Sequence, residues 1–252
     1  MTPVTTWRRL LAEFVGTALL VTAVVGSGIM ATTLSPDDVG LQLLENSVAT
    51  AFALGALILT FGPVSGAHFN PVVSAADWFL GRRTDSGLTA AQLGGYVVTQ
   101  TAGAICGSIL ANLMFDLDAV TLSAKDRAGG HLWLGETVAT TGLLLLIFAL
   151  ARSGRAPAAP AAVGAYIGAA YWFTSSTSFA NPAVTVGRAF TDTFAGIAPA
   201  SVPAFVAAQL IGLVIGVGLL LALYPGVGKA ADDVIVAHDI RTHPQSRGKA
   251  RE

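Results

Sequence analysis

The sequence contains the stretch Ser65-Gly66-Ala67-His68-Phe69-Asn70-Pro71-Val72 and, later, the similar stretch Ser178-Phe179-Ala180-Asn181-Pro182-Ala183. The two Asn-Pro pairs lie 111 positions apart. Asn is a favoured N-cap, and Pro is tolerated at the next position because the first N–H groups of a helix have no helical acceptor. Each stretch therefore predicts the start of a helix.

Only a short apolar run follows each Asn-Pro pair. The runs cover residues 72–80 and 183–190, about two turns each, which is too short to cross a bilayer. Half-helices of this kind are stable in lipid only where their ends and the irregular backbone before them line a polar cavity. The pattern therefore indicates a pore or a solute-binding site.

Composition indicates that this chain is an integral membrane protein. Of its 252 residues, 53% are hydrophobic and 12% charged, and the mean hydropathy is +0.66, which favours a membrane location over a soluble core. The single cysteine, Cys106, lies in an apolar stretch. It excludes a disulfide framework and a cysteine metal site, and it predicts a buried, inert thiol.

Six apolar runs predict membrane-spanning helices. They cover about residues 10–34, 41–61, 88–115 and 132–151, a run ending near Phe173, and residues 202–224. We expect Gly62-Pro63 to stop the second span before the first half-helix. The predicted fold is an all-α membrane protein with six transmembrane helices and two re-entrant half-helices. The channel domain is predicted over residues 1–225, and a polar cytoplasmic tail over residues 226–252.

The distribution of basic residues predicts the orientation. Alternate loops face opposite sides, and cytoplasmic loops carry an excess of Lys and Arg. With both termini inside, 11 of the 14 basic residues are cytoplasmic, namely Arg8, Arg9, Arg82, Arg83, Arg152, Arg155, Lys229, Arg241, Arg247, Lys249 and Arg251. Lys125, Arg127 and Arg188 lie outside. We therefore expect a multi-pass inner-membrane protein with the connection 116–131 on the outer side.

An internal repeat, about residues 8–115 and 132–224, supports two half-helices that enter from opposite faces. Ala12-Glu13-Phe14-Val15-Gly16-Thr17 is echoed by Gly135-Glu136-Thr137-Val138-Ala139-Thr140, and Tyr96-Val97-Val98-Thr99-Gln100 by Phe205-Val206-Ala207-Ala208-Gln209. Glu, Asn-Pro and Gln recur in the same order. Because each half has three spans, an odd number, the halves must insert as inverted repeats.

The two Asn-Pro stretches and the paired acids Glu13 and Glu136 resemble those of the aquaporins and aquaglyceroporins, the major intrinsic proteins. The resemblance covers residues 13–225. It implies six tilted spans, two half-helices and a homotetramer with one pore in each subunit. It also implies a channel for small neutral solutes that is not an enzyme, has no cofactor or metal and binds no nucleic acid.

The motif residues have predicted roles in the pore. Asn70-Pro71-Val72 and Asn181-Pro182-Ala183 would place two carboxamides at its centre, where each donates an N–H to a passing oxygen. The predicted wall of carbonyl groups comprises Gly66, Ala67, His68, Phe69, Thr177, Ser178, Phe179 and Ala180. His68 is either a pH-responsive residue at the pore mouth or a satisfied wall residue.

The two intramembrane acids have two interpretations. An acid inside the membrane is a functional candidate by default, as a catalytic or proton-carrying group. By the resemblance, Glu13 and Glu136 instead accept hydrogen bonds from the backbone ahead of each half-helix. We favour this structural role.

The selectivity filter departs from the family pattern. The family normally has an Arg three positions after the second Asn, but this chain has Val184. Arg188, one turn further along, is expected in the outer vestibule, too far out to replace it. The resemblance implies three further filter positions, and carrying them over by their spacing from the Asn residues gives Thr50, Ala169 and Ser178, in addition to Val184. A small gap would instead put Phe52 in the position of Thr50.

Without the Arg, the filter is expected to be wide and less polar. Such filters resemble those of bacterial channels linked to arsenic resistance. The sequence therefore predicts passive conduction of arsenite or other metalloid hydroxides, of glycerol and of water. The alternatives are a water-selective aquaporin and a secondary transporter, since inverted repeats with broken helices build those too.

Overall fold

A computed structural model describes residues 4–82, 86–224 and 226–227. Eight α-helices follow in order: α1 (Thr6–Leu34), α2 (Val39–Ser65), α3 (Pro71–Gly81), α4 (Ala90–Met114), α5 (Gly130–Arg152), α6 (Ala159–Phe173), α7 (Pro182–Gly187) and α8 (Val202–Leu223). No β-strand occurs in these residues. Nearly all of the predicted tail, 226–252, lies outside them.

Five of the helices are long and apolar enough to cross a membrane, namely α1, α2, α4, α5 and α8 with the turn before it. The remaining predicted span is α6, which has 15 residues and is about 22 Å long. A 3-10 turn over Ala156–Ala158 precedes it. Prolines at 157 and 160 explain the short regular part, because each lacks a backbone donor.

The second span does not stop at Gly62-Pro63. Helix α2 contains Pro63 and continues to Ser65. It ends at Gly66, which has a φ of 88° in the left-handed region and whose N–H donates to the carbonyl of Gly62. Glycine adopts this conformation without the steric cost of a side chain, and it is the usual helix stop. The prediction placed the end of the helix one turn too early.

Both predicted half-helices begin at their Asn-Pro pairs. The Oδ1 of Asn70 accepts the N–H of Val72 at 3.1 Å. The Oδ1 of Asn181 accepts the N–H of Ala183 at 3.0 Å and that of Val184 at 3.2 Å. Helix α7 has only six residues, and a 3-10 turn over Arg188–Phe190 follows it.

The long helices pack in matching pairs, α1 with α4 and α5 with α8, while α2 packs on α6 across the two halves. Glycines allow the close approach within the pairs. A Cβ on Gly103 would overlap the carbonyl oxygen of Phe14, and one on Gly212 would lie 2.8 Å from that of Thr137. The prediction of a buried thiol was wrong, because Cys106 is exposed on α4.

Candidate functional site

The irregular backbone before α3 is held by Glu13. Its Oε1 accepts the N–H of His68 at 3.0 Å, and its Oε2 accepts that of Phe69 at 2.7 Å. Ser65 and Gln100 also donate to this carboxylate, at 2.6 and 2.8 Å. Glu13 is fully buried, so these donors replace the water that the carboxylate loses.

Glu136 does the same for the stretch before α7. Its two oxygens accept the N–H groups of Phe179 and Ala180, both at 2.8 Å. The Nε2 of Gln209 donates to it at 2.6 Å and to the hydroxyl of Thr185 at 2.8 Å. In both halves, therefore, a buried acid on the first helix and a glutamine on the last hold one re-entrant segment.

The two re-entrant segments share an unusual backbone conformation. Positive φ angles occur at the same three distances before each Asn, at Gly66, Ala67 and Phe69 in the first half and Thr177, Ser178 and Ala180 in the second. Non-glycine residues pay an energetic cost in this region. The hydrogen bonds to the buried glutamates stabilise a conformation that the local sequence disfavours.

The two Asn-Pro tips are linked to each other by reciprocal hydrogen bonds. The Nδ2 of Asn70 donates to the carbonyl of Ala180 at 2.8 Å, and the Nδ2 of Asn181 donates to that of Phe69 at 2.7 Å. Each carboxamide NH₂ carries two N–H groups. One is used in the cross-link, and the second can donate to a solute.

A central cavity of about 60 Å³ lies beside the two tips, which is room for a short file of water molecules. Its polar lining consists of Thr50, His68, Asn70, Tyr171, Ser178, Asn181 and Arg188, and its apolar lining includes Leu20, Val24, Leu54, Ile58, Leu143, Ile147, Val163, Ile167 and Val184. Neither acid of the repeat lines it.

Not every predicted carbonyl residue lies along this cavity. Ala67, His68, Phe69, Ser178 and Phe179 line it, whereas Gly66, Thr177 and Ala180 do not. These three residues make other contacts. Gly66 belongs to the end of α2, Thr177 donates to the carbonyl of Thr174 in a turn, and the carbonyl of Ala180 accepts the amide of Asn70.

Three of the four predicted filter residues line the cavity: Thr50, Ser178 and Val184. The alternative, Phe52, is 77% exposed on the outer face. Two positions along a helix correspond to a rotation of about 200°. Thr50 and Leu54 therefore face the cavity together, while Phe52, between them, points away.

The placement of Ala169 in the filter was wrong. Ala169 is exposed, and α6 contributes Val163, Ile167 and Tyr171 instead. The hydroxyl of Tyr171 lies 3.2 Å from that of Thr50. Sequence reasoning missed Tyr171 because it counted back from Asn181. The four-residue spacing of these three side chains is the signal that could have found it.

Arg188 also differs from the expectation. It lines the same cavity as Val184 rather than standing outside it, and it is only 2% exposed. Val72 is buried at the tip of α3 and is absent from the lining.

His68 has a matched position in the other half. Its ring packs edge-on against Tyr96 with centroids 5.4 Å apart, and Phe179 packs in the same way on Phe205 at 5.2 Å. The Nδ1 of His68 lies 3.1 Å from the hydroxyl of Ser74. The His68 ring, which lines the cavity, is thus held on two sides.

The fold and the site define a membrane channel with two re-entrant half-helices, and comparisons with known proteins agree. The model of the MIP family, Major intrinsic protein, matches residues 1–180. The chain is 52% identical to Aquaglyceroporin AqpS of Rhizobium meliloti (strain 1021) over 213 residues, which is 84% of this chain and 88% of that protein. It is 30% identical to the Glycerol uptake facilitator protein of Pseudomonas aeruginosa over 248 residues, covering 82% and 85% of the two chains.

The fold also matches a solved structure, the aquaglyceroporin from Plasmodium falciparum. The TM-score is 0.65 at 18% identity, over 89% of this chain and 99% of that one. The chain belongs to the major intrinsic protein family. It is an integral membrane channel for small neutral solutes and not an enzyme, which confirms the predicted family, helical membrane fold and channel function.

Proposed function

We propose that this channel conducts glycerol and uncharged metalloid hydroxides such as arsenous acid passively through the central cavity. One observation carries the proposal. The residue at position 184, which lines the cavity with Asn70 and Asn181, is a valine and not a larger side chain. The names of two relatives, an aquaglyceroporin and a glycerol uptake facilitator, agree with it.

The lining suits a small solute with several hydroxyl groups. The free N–H groups of Asn70 and Asn181 can donate to solute oxygens. The apolar residues of the lining, such as Leu20 and Ile147, accept the carbon or metalloid face of the solute. A hydrated ion would lose its water shell there without replacement.

A direct test of this proposal measures uptake in vesicles that contain the purified protein. We expect glycerol and arsenous acid to enter at rates that rise linearly with the imposed gradient, because a channel needs no conformational cycle. Empty vesicles are the control. Uptake that saturates and depends on a proton gradient would favour a secondary transporter, and passage of water alone would favour a water-selective channel.

In the part of the chain that the structure describes, the transporter alternative lacks an acid in the cavity that could couple solute to ion movement. No Asp or Glu lines the cavity among the described residues. Glu13 and Glu136 are instead engaged by backbone N–H groups. The structural interpretation of the two acids is therefore the better supported one.

The domain, assembly and location are proposed on the same basis. Residues 1–225 form the channel, built from repeats over about 8–115 and 132–224, and residues 226–252 a cytoplasmic tail. Four copies assemble in the inner membrane with lipid around them.

An apolar groove on the outer face of α2 and α6, which includes Phe52 and Trp172, offers a surface for contact between copies.

Labelling of single cysteines should show both termini on the cytoplasmic side. In a Cys106→Ala background, Ala128→Cys in the exposed connection before α5 should react with a membrane-impermeant maleimide in intact cells. Ser153→Cys, exposed after α5, should react only after lysis. The basis is the excess of basic residues in the cytoplasmic loops. The reverse labelling pattern would overturn the orientation.

A further inference from the structure

Arg188 is the charged residue of the central cavity. Among the described residues, it is the only Lys, Arg, Asp or Glu in the lining. It stands one helical turn beyond Val184 in the chain, at the start of the 3-10 turn that follows α7. The cavity therefore has a fixed positive charge, although the position that normally carries it in the family holds a valine.

The Arg188 side chain is held in place by its surroundings. Its Nε donates to the carbonyl of Ala195, and its guanidinium carbon lies 3.4 Å from the centroid of the Phe179 ring. The Phe179 ring packs edge-on against Phe205. The backbone N–H of Phe179 donates to the carboxylate of Glu136. The guanidinium is thus fixed by the same framework that holds the second re-entrant segment.

A second guanidinium reinforces the positive charge. Arg127 lies 4.9 Å from the centroid of the same Phe179 ring and donates to the carbonyls of Gly196 at 2.9 Å and Ser176 at 3.4 Å. Burial lowers the pKa of Arg127 to about 10, so it remains charged at neutral pH. Within the described residues, both arginines are bound by carbonyl groups and an aromatic ring rather than by a carboxylate.

The donors of Arg188 are not all used by the protein. In the part of the chain that the structure describes, only its Nε–H has a hydrogen-bond partner. A guanidinium has five N–H groups in a fixed planar arrangement. The remaining N–H groups can therefore donate to oxygen atoms of a molecule in the cavity.

We propose that Arg188 is the charge-selecting and solute-orienting residue of this pore, and that Val184 leaves the passage wide at a separate level. This rests on the proposed channel function and deepens it. In the family pattern one arginine both narrows the passage and carries the charge. Here the two tasks are divided between positions one helical turn apart, about 5.4 Å along a helix.

The division has a physical consequence for solute choice. A polyol or a metalloid hydroxide needs more width than water, and Val184 leaves that width. The solute still meets fixed donors and a positive charge at Arg188, which favour neutral oxygen-bearing molecules and repel cations. A channel can in this way admit larger solutes without becoming a cation leak.

Removal of the charge tests the proposal. Arg188→Met keeps an unbranched stem against Phe179, and Arg188→Gln keeps a polar end. In vesicles, each should raise the potassium or proton leak by about tenfold or more relative to wild type. Arg155→Gln, at an exposed arginine in the loop after α5, is the matched control and should leave the leak unchanged. A folded Arg188→Met or Arg188→Gln protein with a leak within about twofold of wild type would overturn the charge-selecting role.

Arg188→Lys tests the donor arrangement separately and also decides the matter if both neutral variants fail to fold. Lysine keeps the charge but lacks the planar fork. We expect wild-type exclusion of potassium together with glycerol uptake lowered about fivefold. Unchanged glycerol uptake would overturn the solute-orienting role. A potassium leak well above that of wild type in folded Arg188→Lys protein would overturn the charge role, because the charge is still present. Absence of glycerol uptake in wild type would instead contradict the proposed function.

Discussion

Val184→Arg should lower the uptake of glycerol and arsenous acid by about tenfold or more, and it should lower the passage of water by a smaller factor. Val184 is 5% exposed and lines the cavity together with Thr50 and Tyr171, whose hydroxyl groups lie 3.2 Å apart. Because Val184 is enclosed by the protein on its other sides, the longer side chain of an arginine at this position would have to extend into the passage. It would also lie one turn from Arg188, so two positive charges would share a small volume.

The measurement is the rate of swelling or uptake in vesicles for water, glycerol and arsenous acid in parallel. Val184→Ala is the control for substitution at this site, since it removes volume and should leave the passage of all three intact. Unchanged uptake of the larger solutes by folded Val184→Arg protein would show that the passage is not limited at this residue. In that case the proposed wide filter is wrong.

Glu136→Ala should destabilise the protein strongly. The substitution removes the acceptor for the N–H groups of Phe179 and Ala180 and for the amide of Gln209. Leaving two buried backbone N–H groups without a partner costs about 2–6 kcal/mol. The left-handed backbone before Asn181 also loses the contacts that hold it. We therefore expect a low folded yield and a large fall in the thermal midpoint of the solubilised protein.

Glu45→Ala is the matched control for this experiment. Glu45 is a half-buried acid on α2 whose carboxylate accepts the hydroxyl of Ser35 at 2.8 Å, far from any re-entrant segment in the chain. Its removal should change the midpoint little. A Glu136→Ala protein that folds as well as this control, and loses only proton-dependent uptake, would restore the proton-carrier interpretation of Glu136.

Several parts of the fold could be predicted because their causes are local or repeated. An Asn-Pro pair caps its own helix through bonds two or three residues apart, so the starts of α3 and α7 are readable directly. The apolar length of a span reflects the thickness of the bilayer. The duplication of Glu13 and Glu136 marks positions that serve the same function in each half.

Other details depended on contacts between distant parts of the chain. The rotation of α6 is set by Gly164 and Gly168, which face α2 at Ala51. That packing turns Ile167 and Tyr171 toward the cavity and leaves Ala169 on the other side. Counting along the sequence from Asn181 cannot supply this angle, because no residue near Asn181 determines it.

The direction of Arg188 is the second detail that only the tertiary structure decided. From the sequence it is a cation one turn past the filter position, which suggests an outward-facing side chain. Its actual direction is set by the carbonyl of Ala195, which lies on the loop that returns past it, and by the ring of Phe179, which Glu136 positions from another helix. The residue types and their spacing are encoded locally, whereas the charge in the cavity results from packing that brings three separate segments together.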